Sequence, residues 1–319
     1  MKHSIALVTG ATGGVGYAAA RLLASEGYRK VFVTGRSLSR ARDAAERLAA
    51  ETKSQIFTPL ELELDDPSNV WKALGELSKQ GRQIDLLLLN AGMVPGKKRV
   101  VTASGIEASQ APLIGHHQLT DGLLEAGLLS SDARIVIAGA EPARGGVPLF
   151  KYTDLPAFAA KHHRGDRTAA VEALLRSGPT VKYVPNNAYA DAKLIVAWWA
   201  AALSHRLPSG MAAYAVSPGA STATEVGRNA GLLVKYLMIP IVSHLPGMNQ
   251  APETAARRYL QASQFATDVS GRFFASAKGK FTGPIEAQRQ PHLLDRASQE
   301  AAWEAVCKVA ALDFSSATA

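Results

Sequence analysis

The feature that most constrains the fold is a strand that runs straight into a glycine-rich turn and then a helix. Ser4-Ile5-Ala6-Leu7-Val8 has the unbroken apolar character of a buried strand, and Thr9-Gly10-Ala11-Thr12-Gly13-Gly14-Val15-Gly16 follows without a spacer. The next residues, Tyr17 to Leu23, carry a helical pattern. In that order the pieces make a phosphate cradle: glycines let the backbone approach a pyrophosphate, and the helix N-terminus offers free N–H groups and the positive end of its dipole. A tight turn without a ligand is the alternative, and the strand and helix on either side favour a bound nucleotide.

Beyond the turn, apolar runs alternate with longer helical patterns, which predicts βαβ units and a parallel sheet. Strands are expected at 4–9, 30–34, 56–61, 84–89, 133–138, 211–216 and 271–275. Helices are expected near 15–26, 38–51, 67–80, 106–128, 187–206, 252–264 and 297–311. The fold class is therefore α/β, a doubly wound parallel sheet of about seven strands, with its ligand crevice at the C-terminal ends of the strands. With 319 residues, 47% hydrophobic and 19% charged, the chain can bury a large core as one domain over 1–319. Its one cysteine, Cys307, allows no disulfide within the chain, which fits a cytoplasmic location. Met1-Lys2-His3 leads directly into the first strand, so no signal or transit peptide is expected.

The 35 Lys plus Arg exceed the 27 Asp plus Glu by 8, and the excess is scattered rather than blocked. No nucleic-acid module accompanies it, so an anionic cofactor or substrate is the better use of the charge, and no nucleic-acid partner is expected. The apolar stretch Gly231 to Val242 is interrupted by Lys235 and Pro240 and falls short of the about 20 residues a membrane span needs. His162-His163 diverge as neighbours and have no Cys or acidic partner at ligand spacing, so no metal is expected.

Tyr189-Ala190-Asp191-Ala192-Lys193 sets a phenol and an ammonium at i and i+4 of an expected helix, on one face. A cation within hydrogen-bonding range favours the phenolate and lowers its pKa from about 10. The pair can then donate and accept a proton at neutral pH. One buried ring beside one solvated ammonium is the plain alternative.

Taken together these segments resemble the short-chain dehydrogenase/reductase family. Its T-G-x-x-x-G-x-G pattern is matched by Thr9, Gly10, Gly14 and Gly16, and its Y-x-x-x-K by Tyr189 and Lys193. Its N-A-G is matched by Asn90-Ala91-Gly92, directly after Leu86-Leu87-Leu88-Leu89, and its P-G by Pro218-Gly219. The resemblance covers nearly the whole chain. It implies a Rossmann fold and hydride transfer to or from a small carbonyl or alcohol substrate, in a homodimer or homotetramer. It also places Thr12, Val15, Asn90, Ala91, Gly92, Pro218 and Gly219 at the cofactor, with Lys193 on the nicotinamide ribose. Thr222 or Thr224 would meet the carboxamide or pyrophosphate.

The turn Gly35-Arg36-Ser37 after the second strand should lie beside the adenosine ribose. An acid there favours NAD, whereas an arginine pairs with a 2′-phosphate, so Arg36, with Ser37 beside it and Arg40 as a second cation, points to NADP(H). By register Glu63 and Leu64 cover the adenine edge, with Asp65 a rival.

Departures matter more than matches. The family's serine after the fifth strand is Ala140 here, and no Ser or Thr occurs from Ala133 through Phe150. Loss of one such donor removes about 2.7–4 kcal/mol of transition-state stabilisation, judged by oxyanion-hole deletions. Pro112 stands where the family often has a relay asparagine; it would distort a helix interior, and Gln110, His116 or His117 are the possible substitutes. Three readings of Ala140 compete. A natural serine was replaced to trap a complex; or Tyr152, Thr153 or a water acts instead; or the chain is an NADP(H)-binding pseudoenzyme or sensor.

From Ala140 to Tyr189 is 49 residues, well above the family's simplest members. The extra part, at about 145–185, reads as a substrate-covering lid, with a bland surface excursion as the alternative. A second substrate loop is expected at about 220–250, where the apolar stretch is either a greasy wall or a helix packed on its own core or a sister subunit. The activity expected is reversible NADPH-dependent carbonyl reduction on an apolar substrate, with Tyr189 as proton donor.

Overall fold

Residues of the long apolar runs alternate with the pleat, so each central strand presents two apolar faces and needs helices on both. The computed structural model of the chain describes residues 4–220 and 249–317, the stretch 312–317 as helix backbone alone. In it β1 (Ile5–Val8), β2 (Lys30–Gly35), β3 (Phe57–Glu61), β4 (Ile84–Leu89), β5 (Leu129–Ala138), β6 (Ala212–Val216), β7 (Phe273–Ser276) and β8 (Ile285–Ala287) form one sheet in the order β3-β2-β1-β4-β5-β6-β7-β8. All neighbours are parallel except β7 and β8. The doubly wound Rossmann expectation holds, and the strand order reverses between β1 and β4.

On one face α1 (Gly14–Ser25), α2 (Leu38–Thr52) and α8 (Pro252–Ala262) cover Ala6, Val8, Leu86, Leu88 and Val136. On the other, α3 (Pro67–Lys79), α4 (Ala111–Glu125) and α7 (Pro185–Ser204) cover Leu7, Leu87, Leu89 and Ile135. Outside them lie α5 (Leu155–His162), α6 (Arg167–Arg176), the short α9 (Pro291–Leu294) and α10 (Arg296–Ala317), which packs on α4, α6 and α7. Among the described residues no helix is long and apolar enough to cross a membrane.

Three sequence expectations change. Among the described residues the sheet has eight strands, because Ile285–Ala287 adds an antiparallel edge to β7. β5 begins at Leu129, where a register shift lets it pair with Ile84 ahead of the main run. The helix expected from 106 begins at Ala111, since the N–H groups of Gln110 and Ala111 both return to Glu107 O in a turn. Pro112 thus sits in the first helical turn, where its missing N–H disturbs nothing.

Candidate active site

The glycine-rich turn is shaped by two glycines. Gly10 has φ +64°, a left-handed conformation that glycine adopts freely. A Cβ on Gly16 would lie 2.3 Å from Asn90 Nδ2 and 2.4 Å from Gly10 O, so only glycine lets α1 come this close to the end of β4. At Gly13 a Cβ would meet nothing within 4 Å, which marks the open side of the cradle. Asn90 Nδ2 donates to Thr9 O at 3.0 Å and Gly10 O at 3.4 Å. Buried Thr9 accepts the Ala91 N–H at 2.9 Å, and its hydroxyl lies 2.9 Å from His116 Nε2. Thr9, Gly10, Asn90 and Ala91 therefore tie together the two strand ends at which the order reverses. Burial, helped by Lys193, holds His116 neutral, its pKa lowered to about 3, and its bond to Thr9 braces the turn. The sequence raised His116 as a relay substitute; its partner Thr9 lies 107 positions away, beyond the reach of spacing.

At the end of β2, Arg36 is exposed and Ser37 caps α2, its Oγ accepting the Arg40 N–H at 3.4 Å. Glu63 is fixed by its own N–H, which donates to Asn69 Oδ1 at 2.7 Å. Burial and Asp65 raise the Glu63 carboxyl pKa, and nearby Arg36 opposes the shift. Arg36 and Glu63 thus share one rim, while Leu64 turns into the core and Asp65 faces out. Arg47, which sequence reasoning passed over, donates from α2 to Thr12 O at 3.1 Å.

Tyr189 and Lys193 lie one turn apart on α7. Lys193 Nζ donates to Ala138 O at 2.7 Å and stands 3.6 Å from where a Gly92 Cβ would be, so it joins the ends of β4 and β5. Ser109, Gln110, Pro112 and His116 line a small cavity against it. Burial lowers Lys193 to about 8 and raises Tyr189 to about 12. The expected lowering of the Tyr189 pKa is thus not found. The ammonium faces the ring, 5.9 Å from its centroid, and is satisfied by Ala138 O, so desolvation decides the phenol. Tyr189 therefore holds its proton at neutral pH.

Ala140 is buried just beyond β5. Neither side chain considered as its replacement is free. The Tyr152 hydroxyl lies 3.1 Å from His292 Nδ1 over stacked rings, while His292 Nε2 donates to Ala143 O at 2.9 Å. Thr153 donates its hydroxyl to Asp191 Oδ2 at 3.0 Å and its N–H to Oδ1 at 2.6 Å. Phe150 does reach the site, its ring 6.1 Å from that of Tyr189.

The long segment before α7 divides in two. Residues 149–153 are pinned to α7 by Asn186, Asn187 and Asp191. Leu155, Ala159, Val171, Leu174 and Leu175 of α5 and α6 join the main core, so the helices are a packed outer layer and not a lid. Pro218-Gly219 follows β6, with Gly219 at φ +75°. Thr222, Thr224 and the apolar stretch 231–242 lie outside the described residues. Among the described residues no group of three or more His, Cys, Asp or Glu side chains is placed to hold a metal.

Residues 4–137 match the short chain dehydrogenase family model. Over those residues the chain is similar to the short-chain dehydrogenase/reductase family, and relatives similar to it are named as oxidoreductases or dehydrogenases. Oxidoreductase fscI of Fusarium equiseti is 29% identical over 67% of this chain and 85% of its own length. Human retinol dehydrogenase 13 is 26% identical over 87% of this chain and 78% of its own. For two other relatives the match spans only 36% and 61% of their length. A variant of actinorhodin polyketide ketoreductase, solved with NADPH, superposes with TM-score 0.60 at 20% identity over 85% of this chain and 94% of its own, which speaks to fold alone.

Proposed function

We propose that the chain is an NADP(H)-dependent carbonyl reductase, reversible as an alcohol dehydrogenase, for a small apolar organic substrate. The observation that carries this reading is Tyr189 and Lys193 one turn apart on α7, with Lys193 held between the ends of β4 and β5, next to the strand end that carries the open glycine cradle. The cradle fits a dinucleotide: Gly13 leaves space for a pyrophosphate, and the residues from Thr9 to Gly16 present a helix N-terminus to it. Arg36 and Arg40 would hold a 2′-phosphate, with Ser37 shaping the turn and Glu63 closing the adenine side, while Leu64, whose side chain is in the core, could offer only its backbone. Asn90, Ala91 and Gly92 would line the crevice floor, and Pro218, Gly219 and Thr222 its nicotinamide end. Bound NADPH supplies the hydride. As charge grew on the substrate oxygen, Tyr189 would give up its proton, and the Lys193 ammonium, which bonds Ala138 O in the resting site, would be the nearby cation to favour the phenolate left behind. Phe150 offers an apolar wall next to the phenol. Action as a homodimer or homotetramer in the cytoplasm belongs to the same proposal.

One observation favours a second reading, an NADP(H)-binding sensor without turnover: Ala140 has no hydroxyl, and those of Tyr152 and Thr153 are engaged elsewhere. NADPH oxidation on a panel of aliphatic and aromatic ketones separates the two. Tyr189→Phe is expected to lower kcat/KM by about 10²–10⁴ with NADPH affinity kept. Unchanged turnover would remove Tyr189 from the chemistry, and tight NADPH binding without oxidation of any ketone would favour the sensor.

A further inference from the structure

Glu141, the residue after Ala140, is the anion of a sealed cluster with Arg144 and Arg258, each of the three 4% exposed. Glu141 Oε1 accepts from Ser276 Oγ at 2.9 Å, Ser276 N at 3.1 Å, Ser217 Oγ at 3.2 Å and Arg258 Nη1 at 3.5 Å. Its Oε2 lies 3.2 Å from Arg144 Nε. Arg258 also donates to Ser217 O at 3.2 Å, Ser276 Oγ at 2.8 Å and Gly283 O at 2.7 Å. Arg144 donates to the carbonyls of Ser276, Ala277 and Lys280. The cluster thus joins the ends of β5, β6 and β7 to α8.

Burying ions this deeply adds little stability over apolar packing of the same volume, so the gain to look for is a fixed geometry. What is fixed is Pro218-Gly219. Ser217 Oγ accepts the Gly219 N–H at 3.1 Å while donating to Glu141, so one hydroxyl links the carboxylate to the turn. From the other side Arg258 closes on Gly219, its Nη1 2.6 Å from where a Cβ would be, and Gln250 donates to Pro218 O. We propose that Glu141, Ser217 and Arg258 are positioning residues that lock the Pro218-Gly219 turn against the strand end carrying Ala140, and so set the nicotinamide half of the cofactor. The inference rests on the NADP(H) reading. The lock lies at β5, β6 and β7, whereas the cradle and Arg36 lie at β1 and β2, so the two halves of the cofactor should respond differently.

Affinities for NADPH and for adenosine 2′,5′-bisphosphate, which lacks the nicotinamide half, test this in the parent, Ser217→Ala, Glu141→Gln and Arg258→Lys. NADPH binding should weaken about tenfold in each variant while the bisphosphate stays within about twofold, as expected for loss of a buried hydrogen bond to a charged group. Equal weakening of both ligands, or unchanged NADPH binding, would overturn the lock. Ser217→Ala keeps all three charges, so it decides the matter if the charge variants do not fold. A parent that binds neither ligand would instead overturn the NADP(H) reading, and the lock with it.

Discussion

Burial works against the charge on Lys193, and that charge is what the proposed reduction needs. With its pKa lowered to about 8, the ammonium is lost as pH rises through that value, so kcat/KM for reduction should fall there. Lys193→Arg keeps its charge, and whatever rate it retains should show no fall near pH 8, which a pH profile of both proteins would check. Asp191 titrates with the opposite consequence for stability. Burial raises it from 3.8 to about 7, so the native state favours the protonated acid. That contribution is complete below 3.8 and is lost as pH rises through about 7. Asp191→Asn has no such loss. Its unfolding free energy relative to the parent should therefore rise between about pH 4 and about pH 8, by on the order of 4 kcal/mol at most, in denaturant titrations at the two pH values. Tyr189, Lys193 and the cradle residues were legible because each acts within a few positions of the next. The partners of Asp191 and Glu141 were not, since Thr153 and Arg258 lie 38 and 117 positions away.

At the scale of elements, the central strands were legible because their apolar runs are unbroken, and the helices because their patterns are long. Errors fell where local signals conflict with tertiary pairing. β8 has three residues and no apolar run, and exists by pairing with β7. The apolar residues from Ile106 to Ala111 suggest helix, yet Glu107 N–H donates to Leu175 O at 2.9 Å and draws that stretch into a turn against the end of α6. The same contact ties α6 to the turn that precedes α4. Leu175 is fully buried in the main core. Leu175→Ala should therefore cost about 2–5 kcal/mol of unfolding free energy, as deletion of a buried leucine does, where a lid residue would cost little. Thermal or denaturant unfolding of the variant decides between the two.

Across the whole molecule, the reversal of strand order between β1 and β4 puts the cradle, Asn90 and Lys193 at the C-terminal ends of the central strands, with Tyr189 one turn from Lys193. The family resemblance and the strand ends that carry these residues could be read from four short motifs in order. The serine gap at Ala140 could be read too, but not whether another hydroxyl fills it, because that depends on how residues 149–153 dock. They dock with Tyr152 on His292 and Thr153 on Asp191, so neither of these two hydroxyls is free to serve at the Ala140 position. The most direct test of the proposed reductase is NADPH oxidation by the parent and Ala140→Ser, side by side on the same ketones. We expect slow turnover in the parent and a rise of about 10²-fold or more in Ala140→Ser, the worth of one restored oxyanion donor. NADPH bound by both proteins but oxidised by neither would contradict it.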